Sequence, residues 1–403
     1  MDVAPGAKAG DNRSPHWEEG NVKKLVLSAV AVAAVAAVAG LVGAAKAPSA
    51  VSAGVNCSSS ATIAYTGPTT GPVASIGAEL RGFSLLYAQQ WNAAGKKPQF
   101  KIEEGDDKFD SAVASTIAQR FSSDSNVLAV IGPGSSQEVL AAGPIFKKAG
   151  MPFVVASATA TTLTNGQFPT FLRIAAPDKI QAVSTSQFIK KTLKGKSVLA
   201  VDDQSSYGKP LADQVAKLLG QLHIKVKRVS VTQKTSDFSS VITAMPSDVN
   251  VVYLAMQLPQ EMTLFGTQLK EQGKNVKLML SDAGGSGVKL SGLVYYSTFG
   301  PDITRYPPAQ PTLKAYHAKY GANAPVSAFG PLAYVSGQVV VNAVAAVCKH
   351  GTATRAQVLA QLHKTNLPTS VFGDPIRFNA RGDRIGAHFF QFQLTKKGPV
   401  PVK

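Results

Sequence analysis

Short apolar runs alternate with stretches of helical spacing along most of the chain after about residue 60. The runs at residues 127–131, 197–201 and 251–255 are apolar at almost every position rather than at every second one. Continuous apolar strands are typical of a parallel sheet that helices cover on both faces. The pattern therefore predicts an α/β fold built on parallel central sheets.

The alternation of strands and helices occurs in two series, which separate near residues 169–177. Towards the C-terminus the pattern changes, with predicted helices at residues 312–320 and 331–349 after a Pro-rich loop. Strand-like pieces around residues 376–378 and 388–394 follow. The two series indicate two Rossmann-like lobes.

The N-terminal segment sets the compartment. Residues 25–45 carry no charge, Lys23 and Lys24 precede them, and small residues follow. A positive flank, an apolar run and a small-residue stretch predict a secretory signal with its leader over residues 1–53. The run is also long enough for an uncleaved signal-anchor, which would be the chain's only link to a membrane. Both interpretations place the body outside the cytoplasmic membrane.

The chain has a formal net charge of +17, but its basic residues are scattered singly or in pairs. Without a basic run or a basic patch interleaved with aromatic residues, nucleic acid is not an expected partner. Two cysteines exclude a disulfide scaffold, a Cys-rich zinc module and an iron–sulfur protein. Cys57 and Cys348 form a candidate disulfide, and two unpaired thiols are the alternative.

The sequence contains no pattern typical of an enzyme or a cofactor site. It has no G-x-S-x-G elbow and no G-x-x-x-x-G-K-[ST] loop, and its six histidines form no metal-ligand cluster. We therefore expect neither catalysis nor a bound metal or cofactor.

Ligands of open α/β sheets bind at the carboxyl ends of the strands, so the loops there carry the candidate chemistry. Ser135 and Ser136 follow one strand and open a helix, whose free N–H groups suit a carboxylate. The alternative is structural, since Ser135 and Glu138 have the spacing of a capping box. Ser157 and Thr159 follow the next strand, where turn chemistry is the alternative.

Two further loops carry a candidate aromatic residue and a candidate acid. Tyr207 follows the strand at residues 197–201 and is suited to wall a pocket or to cap the core. Asp282 follows the strand at residues 277–280 and is suited to pair with a ligand ammonium or to serve as a turn residue.

The order and spacing of these loops resemble the leucine/isoleucine/valine-binding proteins, the type I periplasmic solute-binding components of ABC transporters. The resemblance covers essentially the whole chain after the leader. Its short motifs include Thr66-Gly67-Pro68, Ile131-Gly132-Pro133, Asp202-Asp203, Tyr207-Gly208, and Phe378-Asn379 with Gly382-Asp383.

The resemblance implies a type I periplasmic-binding-protein fold, in which two lobes are joined by a three-strand hinge and clamp a ligand between them. The N-terminal lobe would comprise residues 58–177 and 303–371. The C-terminal lobe would comprise residues 178–302 and 372–403. We expect a monomer.

The resemblance also implies roles for individual residues. Ser136 and Thr159 would hold the carboxylate of an amino acid, with Ser135 beside them, and the backbone at Ser157 would help to take the ammonium. Tyr207 would close over the ligand from the second lobe, and Asp282 would pair with the ammonium.

The pocket walls depart from the family pattern at several positions. Ile76 falls near the place of the family's aromatic wall, and Phe329 stands where an aromatic residue often lines the pocket. Asp282 replaces the usual Glu, and residues 257–259 read Gln-Leu-Pro where the family is rich in tyrosine. These changes leave the side-chain preference open.

The sequence thus predicts an extracytoplasmic solute-binding protein that clamps a small amino acid, branched-chain by resemblance, and delivers it to ABC permease subunits. The alternatives are a binding protein for an amide, urea or an aromatic carboxylate, and an anchored sensor ectodomain of the same fold.

Overall fold

The computed structural model describes residues 54–402, so the predicted signal segment and leader lie outside the described residues. Two large sheets organise this part of the chain. The first sheet has five parallel strands in the order β3-β2-β4-β5-β6. Its strands are β2 Ser60–Gly67, β3 Gln99–Asp106, β4 Val127–Ile131, β5 Phe153–Val155 and β6 Phe171–Arg173.

The second sheet has seven strands in the order β14-β13-β11-β10-β9-β7-β8, and β13 alone runs antiparallel to its two neighbours, while the other six strands share one direction. They are β7 Ser197–Asp202, β8 Lys225–Ser230, β9 Val251–Ala255, β10 Lys277–Leu280, β11 Val294–Thr298, β13 Phe390–Thr395 and β14 Gly398–Pro401. A separate pair joins β1 Val55–Asn56 to β12 Thr352–Ala353.

Ten helices cover the sheets in the described residues. They are α1 Ala74–Ala93, α2 Ser111–Ser123, α3 Ser136–Lys148, α4 Asp178–Lys191, α5 Gly208–Gln221, α6 Ser239–Thr243, α7 Pro259–Glu271, α8 Gln310–Tyr320, α9 Phe329–Cys348 and α10 Arg355–His363. We call each sheet with the helices packed on it a lobe, the first lobe being that of the five-stranded sheet.

The core sits between sheet and helices because the central strands are apolar at every position. All five residues of β4 and all five of β9 are buried. Helix α9 is long and apolar enough to cross a membrane. However, 78% of its most apolar stretch of 18 residues is buried in the protein, so it is a core helix. It packs closely on α1, since a Cβ at Gly337 would overlap the carbonyl oxygen of Ser84.

The predicted α/β class with parallel sheets is confirmed, and several of its details are corrected. Strand β6 lies inside residues 169–177, where the two series were expected to separate. It was not predicted, because three residues are too few to give a periodic signal. Strand β11 and helix α10 were not predicted. Residues 376–378 form isolated bridges, from Ile376 to Leu367 and from Phe378 to Arg384, instead of a strand.

The chain passes between the sheets three times: between β6 and α4, between β11 and α8, and before β13. The lobe boundaries given above stay predictions. The packing of Phe378 and Phe389 in the core of the first lobe favours a third passage nearer to Phe390 than to residue 371.

Cys57 and Cys348 are joined by a disulfide, with 5.3 Å between their Cα atoms. The bond ties the segment before β2 to the end of α9, and the described residues contain no free cysteine.

Candidate functional site

A cavity with about 510 Å³ of empty space opens between the lobes, where the carboxyl ends of strands from both sheets face each other. This space includes open solvent at the mouth of the cavity. All eight residues predicted to bind ligand line it: Ile76, Ser135, Ser136, Ser157, Thr159, Tyr207, Asp282 and Phe329. Seven lining residues were not predicted: Pro68, Val73, Leu80, Phe109, Gly134, Gln257 and Ala283. The structure therefore brings the predicted set together, while the role of each residue towards a ligand stays a prediction.

The start of α3 forms the wall that suits a carboxylate. Ser135 caps the helix, because its Oγ accepts a bond of 3.4 Å from the N–H of Glu138 and its own N–H donates to Glu138 Oε2 at 3.0 Å. The capping interpretation of Ser135 is thus correct. Ser136 Oγ accepts from the N–H of Ala160 at 3.1 Å, which leaves its hydroxyl hydrogen to donate elsewhere. Ser135 Oγ likewise only accepts, so both hydroxyls keep a hydrogen that can be donated to a ligand.

The loop after β5 supplies the second part of this wall. The hydroxyl of Ser157 donates to the carbonyl oxygen of Gly134 at 2.7 Å, so this side chain is already engaged within the protein. Thr159 is buried. The fully buried guanidinium of Arg173 donates to the carbonyl oxygens of Ala158 and Ala160, at 3.2 and 2.9 Å, and so fixes the loop from beneath.

The second lobe contributes an acid. Asp282 is 5% exposed and accepts hydrogen bonds from the hydroxyl of Tyr207 and from Gln181 Nε2, the latter at 3.1 Å. Burial raises the pKa of the Asp282 carboxyl to about 7, against the opposing effect of the bond from Gln181. The same amide donates to Ser297 Oγ at 3.1 Å, which fixes its orientation.

A second buried acid lies behind the cavity and was not predicted. Asp178 opens α4, its N–H donates to the carbonyl oxygen of Thr159 at 2.8 Å, and neither of its carboxylate oxygens accepts a hydrogen bond from the described residues. Burial, and then the charge of Asp282, raise the pKa of Asp178. The available signal in the sequence was an acid five residues after the end of β6, but at the start of α4 it looks like an ordinary helix-opening residue.

The remaining walls are apolar. Val73, Ile76 and Leu80 line one side, and Phe329, at the start of α9, lines another. Phe109 was not predicted as a lining residue, because it reaches the cavity through an unusual backbone with φ of 64°. Its N–H donates to Asp107 Oδ1 at 3.3 Å, and such a bond is not evident from sequence.

Phe329 is positioned by a buried carboxylate. Glu79 accepts from the N–H groups of Ser327 and Gly330, at 2.7 and 2.8 Å, and from the hydroxyl of Ser327. Burial raises the pKa of Glu79 to about 7, although these bonds favour the ionised form. Phe329 also packs edge-on against Phe299, with ring centroids 5.0 Å apart.

The charge of the lining restricts the kind of ligand. Asp282 is its one carboxyl group, and no Lys, Arg or His of the described residues lines the cavity. A ligand carboxylate must therefore be held by hydroxyl and backbone N–H groups instead of a cation. The described residues also contain no group of three side chains that could hold a metal ion.

Comparison with known proteins places these features in a family. The family described as periplasmic binding protein matches residues 60–399. The Leu/Ile/Val-binding protein BraC3 of Rhizobium johnstonii is 27% identical over 340 residues, which cover 81% of this chain and 90% of that protein. The amino acid binding protein of Pseudomonas aeruginosa is 28% identical over 224 residues, which cover 55% of this chain and 60% of that relative's length.

Among solved structures, the leucine binding protein LivK of Thermotoga maritima is similar with a TM-score of 0.75 at 21% identity, covering 85% of this chain and 98% of that one. This likeness confirms the predicted type I periplasmic-binding-protein fold.

Proposed function

We propose that this chain, which belongs to the periplasmic binding protein family, is the solute-binding component of an ABC transporter and binds a branched-chain α-amino acid between its lobes. Members of this family work outside the cytoplasmic membrane and bind substrates for transporters, and they are not enzymes. The ligand, the permease partner and the monomeric state are our proposals.

The distribution of polar groups around the cavity carries this proposal. On the first lobe, Ser136 and the first turn of α3 offer donors to a carboxylate. On the second lobe, Asp282 offers a buried acid to an ammonium, and apolar side chains lie between these two ends. An α-amino acid with an apolar side chain has the same three parts.

Binding and closure follow from the same arrangement. The groups for the carboxylate and the group for the ammonium come from different lobes, so only the closed form supplies both. A ligand that meets both halves therefore stabilises the closed form, in which the protein would present its rim to a permease.

A carboxylate ligand without an amine is the second candidate, and one observation favours it. Asp282 Oδ1 already accepts hydrogen bonds from Tyr207 and Gln181, so this oxygen has partners within the protein without an ammonium. An amide or urea would meet the same groups. The sensor interpretation depends on the predicted anchor, which lies outside the described residues.

A thermal-shift comparison separates the two candidates. Protein comprising residues 54–403 is unfolded and refolded to remove bound ligand, then tested with L-leucine, L-isoleucine and L-valine and with 4-methylpentanoate, which is leucine without its amine. A ligand at 100 times its Kd adds about 2.7 kcal/mol, enough to raise Tm by several degrees. We expect shifts with the amino acids and none with 4-methylpentanoate.

The variant Asp282→Asn sharpens this comparison, because it removes the acid with little change in shape. It should abolish the preference for the amino acids. A shift with 4-methylpentanoate alone, unchanged in the variant, would favour the second candidate and remove Asp282 from the proposed role.

A further inference from the structure

The turn between β9 and α7 makes direct hydrogen bonds across the cleft. Gln257 Nε2 donates to Gln137 Oε1 at 3.1 Å, and Gln260 Nε2 donates to the carbonyl oxygen of Pro72 at 2.7 Å. Gln137 lies in the first turn of α3, and Pro72 lies in the loop before α1. Both bonds therefore join the second lobe to the first.

The turn is firmly anchored in its own lobe. The backbone N–H of Gln257 donates to Asp203 Oδ2 at 2.8 Å, and Gln233 Nε2 donates to the same oxygen at 3.2 Å. Asp203 Oδ1 in turn accepts from the N–H and the hydroxyl of Ser205. The backbone of Gln257 is thus held in the second lobe, while its side chain extends across the cleft.

The partners in the first lobe adjoin the apolar wall of the cavity. Gln137 Nε2 lies 3.5 Å from the carbonyl oxygen of Phe109, to which it donates. Pro72 immediately precedes Val73, and its loop is held by Asp106, which accepts from the N–H of Thr70 at 3.1 Å. The cross-cleft bonds therefore connect the second lobe to the segments that carry the wall residues Phe109 and Val73.

We infer that Gln257 and Gln260 are positioning residues that latch the cleft closed through bonds between protein groups alone. Both bonds join one protein group to another, so we expect each to favour the closed form by the same factor whatever ligand is bound. A neutral hydrogen bond of this kind shifts such an equilibrium by about two- to tenfold. The inference rests on the proposed binding of a ligand between the lobes, but the latch itself does not depend on which ligand it is.

The double variant Gln137→Ala/Gln260→Ala tests the latch, because neither residue lines the cavity. Gln221→Ala is the matched control, since Gln221 is exposed at the end of α5. Kd, association rate and dissociation rate are measured with L-leucine and with L-valine. We expect Kd to rise by about five- to fiftyfold through faster dissociation, by the same factor for both probes, with the control unchanged.

Rescue distinguishes positioning from a general loss of structure. In Gln137→Glu the side chain keeps an oxygen that accepts from Gln257, so this variant should dissociate more slowly than Gln137→Ala. A Kd that the double variant leaves within twofold of the original would overturn the latch. A rise in Kd that differs more than threefold between L-leucine and L-valine would also overturn the latch, because it would mean that these residues act on the ligand itself.

Small-angle X-ray scattering without added ligand keeps the test independent of the proposed function. If neither amino acid binds, a larger radius of gyration in the double variant than in the unaltered protein would still support the latch while the ligand assignment fails. If neither binds and the scattering curves coincide, the latch is refuted as well.

Discussion

Proton release on ligand binding follows from the burial of Asp282. Its carboxyl has a pKa raised to about 7 by burial, so about half of the molecules carry the proton at pH 7. An ammonium placed beside this carboxyl favours the ionised form. Binding of an amino acid should therefore release about half a proton per molecule at pH 7.

The affinity should change with pH in the corresponding direction. Below the pKa of about 7, binding must first remove the proton from Asp282, so affinity falls as pH falls. A single group with this pKa makes Kd about tenfold higher at pH 6 than at pH 8.

Isothermal titration calorimetry with L-leucine measures both effects. The binding heat is recorded from pH 6 to 8 in buffers of different ionisation enthalpy, which gives the number of protons released. Asp282→Asn should lose the proton release and most of the pH dependence, and should bind about ten- to hundredfold more weakly at pH 8, since a bond to a charged group is lost. Asp302→Asn, at an exposed carboxyl, is the control.

Two results would refute this reasoning. A Kd that stays constant between pH 6 and 8, with a heat that does not depend on the buffer, would mean that no carboxyl titrates on binding. A pH dependence that survives in Asp282→Asn would assign the proton to a different group, with Asp178 the first to examine.

Three further predictions concern the groups that hold the site together. Glu79→Gln should lower the free energy of unfolding by about 1–3 kcal/mol in urea titrations, because an amide cannot replace a carboxylate that accepts from several donors; an unchanged midpoint would contradict this. Arg173→Met should cost about 3–5 kcal/mol, since it leaves Asp383 buried without its partner at 2.7 Å, and the double variant with Asp383→Asn should recover part of the loss. Cys57→Ser with Cys348→Ser should cost about 2–5 kcal/mol in the same assay, and a reducing agent should lower the stability of the unaltered protein but not of the variant.

The sequence was most informative where the geometry of a parallel sheet determines position. Ser136, Thr159, Tyr207 and Asp282 each follow a strand, and the carboxyl ends of parallel strands meet at one edge. The order of the elements therefore predicts that these residues lie at the strand ends of their own sheets, and the family resemblance added both the shared cleft between the two sheets and the roles. The walls at Ile76 and Phe329 came from the resemblance alone, since nothing in their local pattern separates them from other core positions.

Other features depend on contacts between distant segments and were not predictable. The lining position of Phe109 requires a backbone with positive φ that is held by Asp107. The cross-cleft bond of Gln257 requires the two lobes to approach within hydrogen-bond distance of each other. Strand β11 and helix α10 are different, because β11 is rich in β-branched and aromatic residues and α10 begins with a capping box of Thr354 and Gln357, local signals that the prediction did not use.

The hydrogen bonds that the serine hydroxyls of the site make within the protein are also not evident from the sequence. From sequence, Ser135, Ser136 and Ser157 all follow strands and are candidates to meet a ligand, with helix capping the alternative for Ser135 and turn chemistry the alternative for Ser157. In the structure the hydroxyl of Ser157 donates to the carbonyl oxygen of Gly134, so its hydrogen is engaged by the protein's own backbone. Ser135 and Ser136 differ from Ser157 because their oxygens only accept, from Glu138 and Ala160, and their hydrogens are left to donate.

This difference makes the carboxylate end of the cavity testable residue by residue. Ser136→Ala removes a donor that the ligand would use, so Kd for L-leucine should rise by about ten- to hundredfold, the effect of losing a bond to a charged acceptor. Ser157→Ala removes a bond within the protein, so it should lower Tm and leave Kd for L-leucine almost unchanged. If the two variants instead raised Kd equally, with equal Tm, the distinction drawn from their hydrogen-bond partners would be wrong, and the loop after β5 would contact the ligand as directly as α3 does.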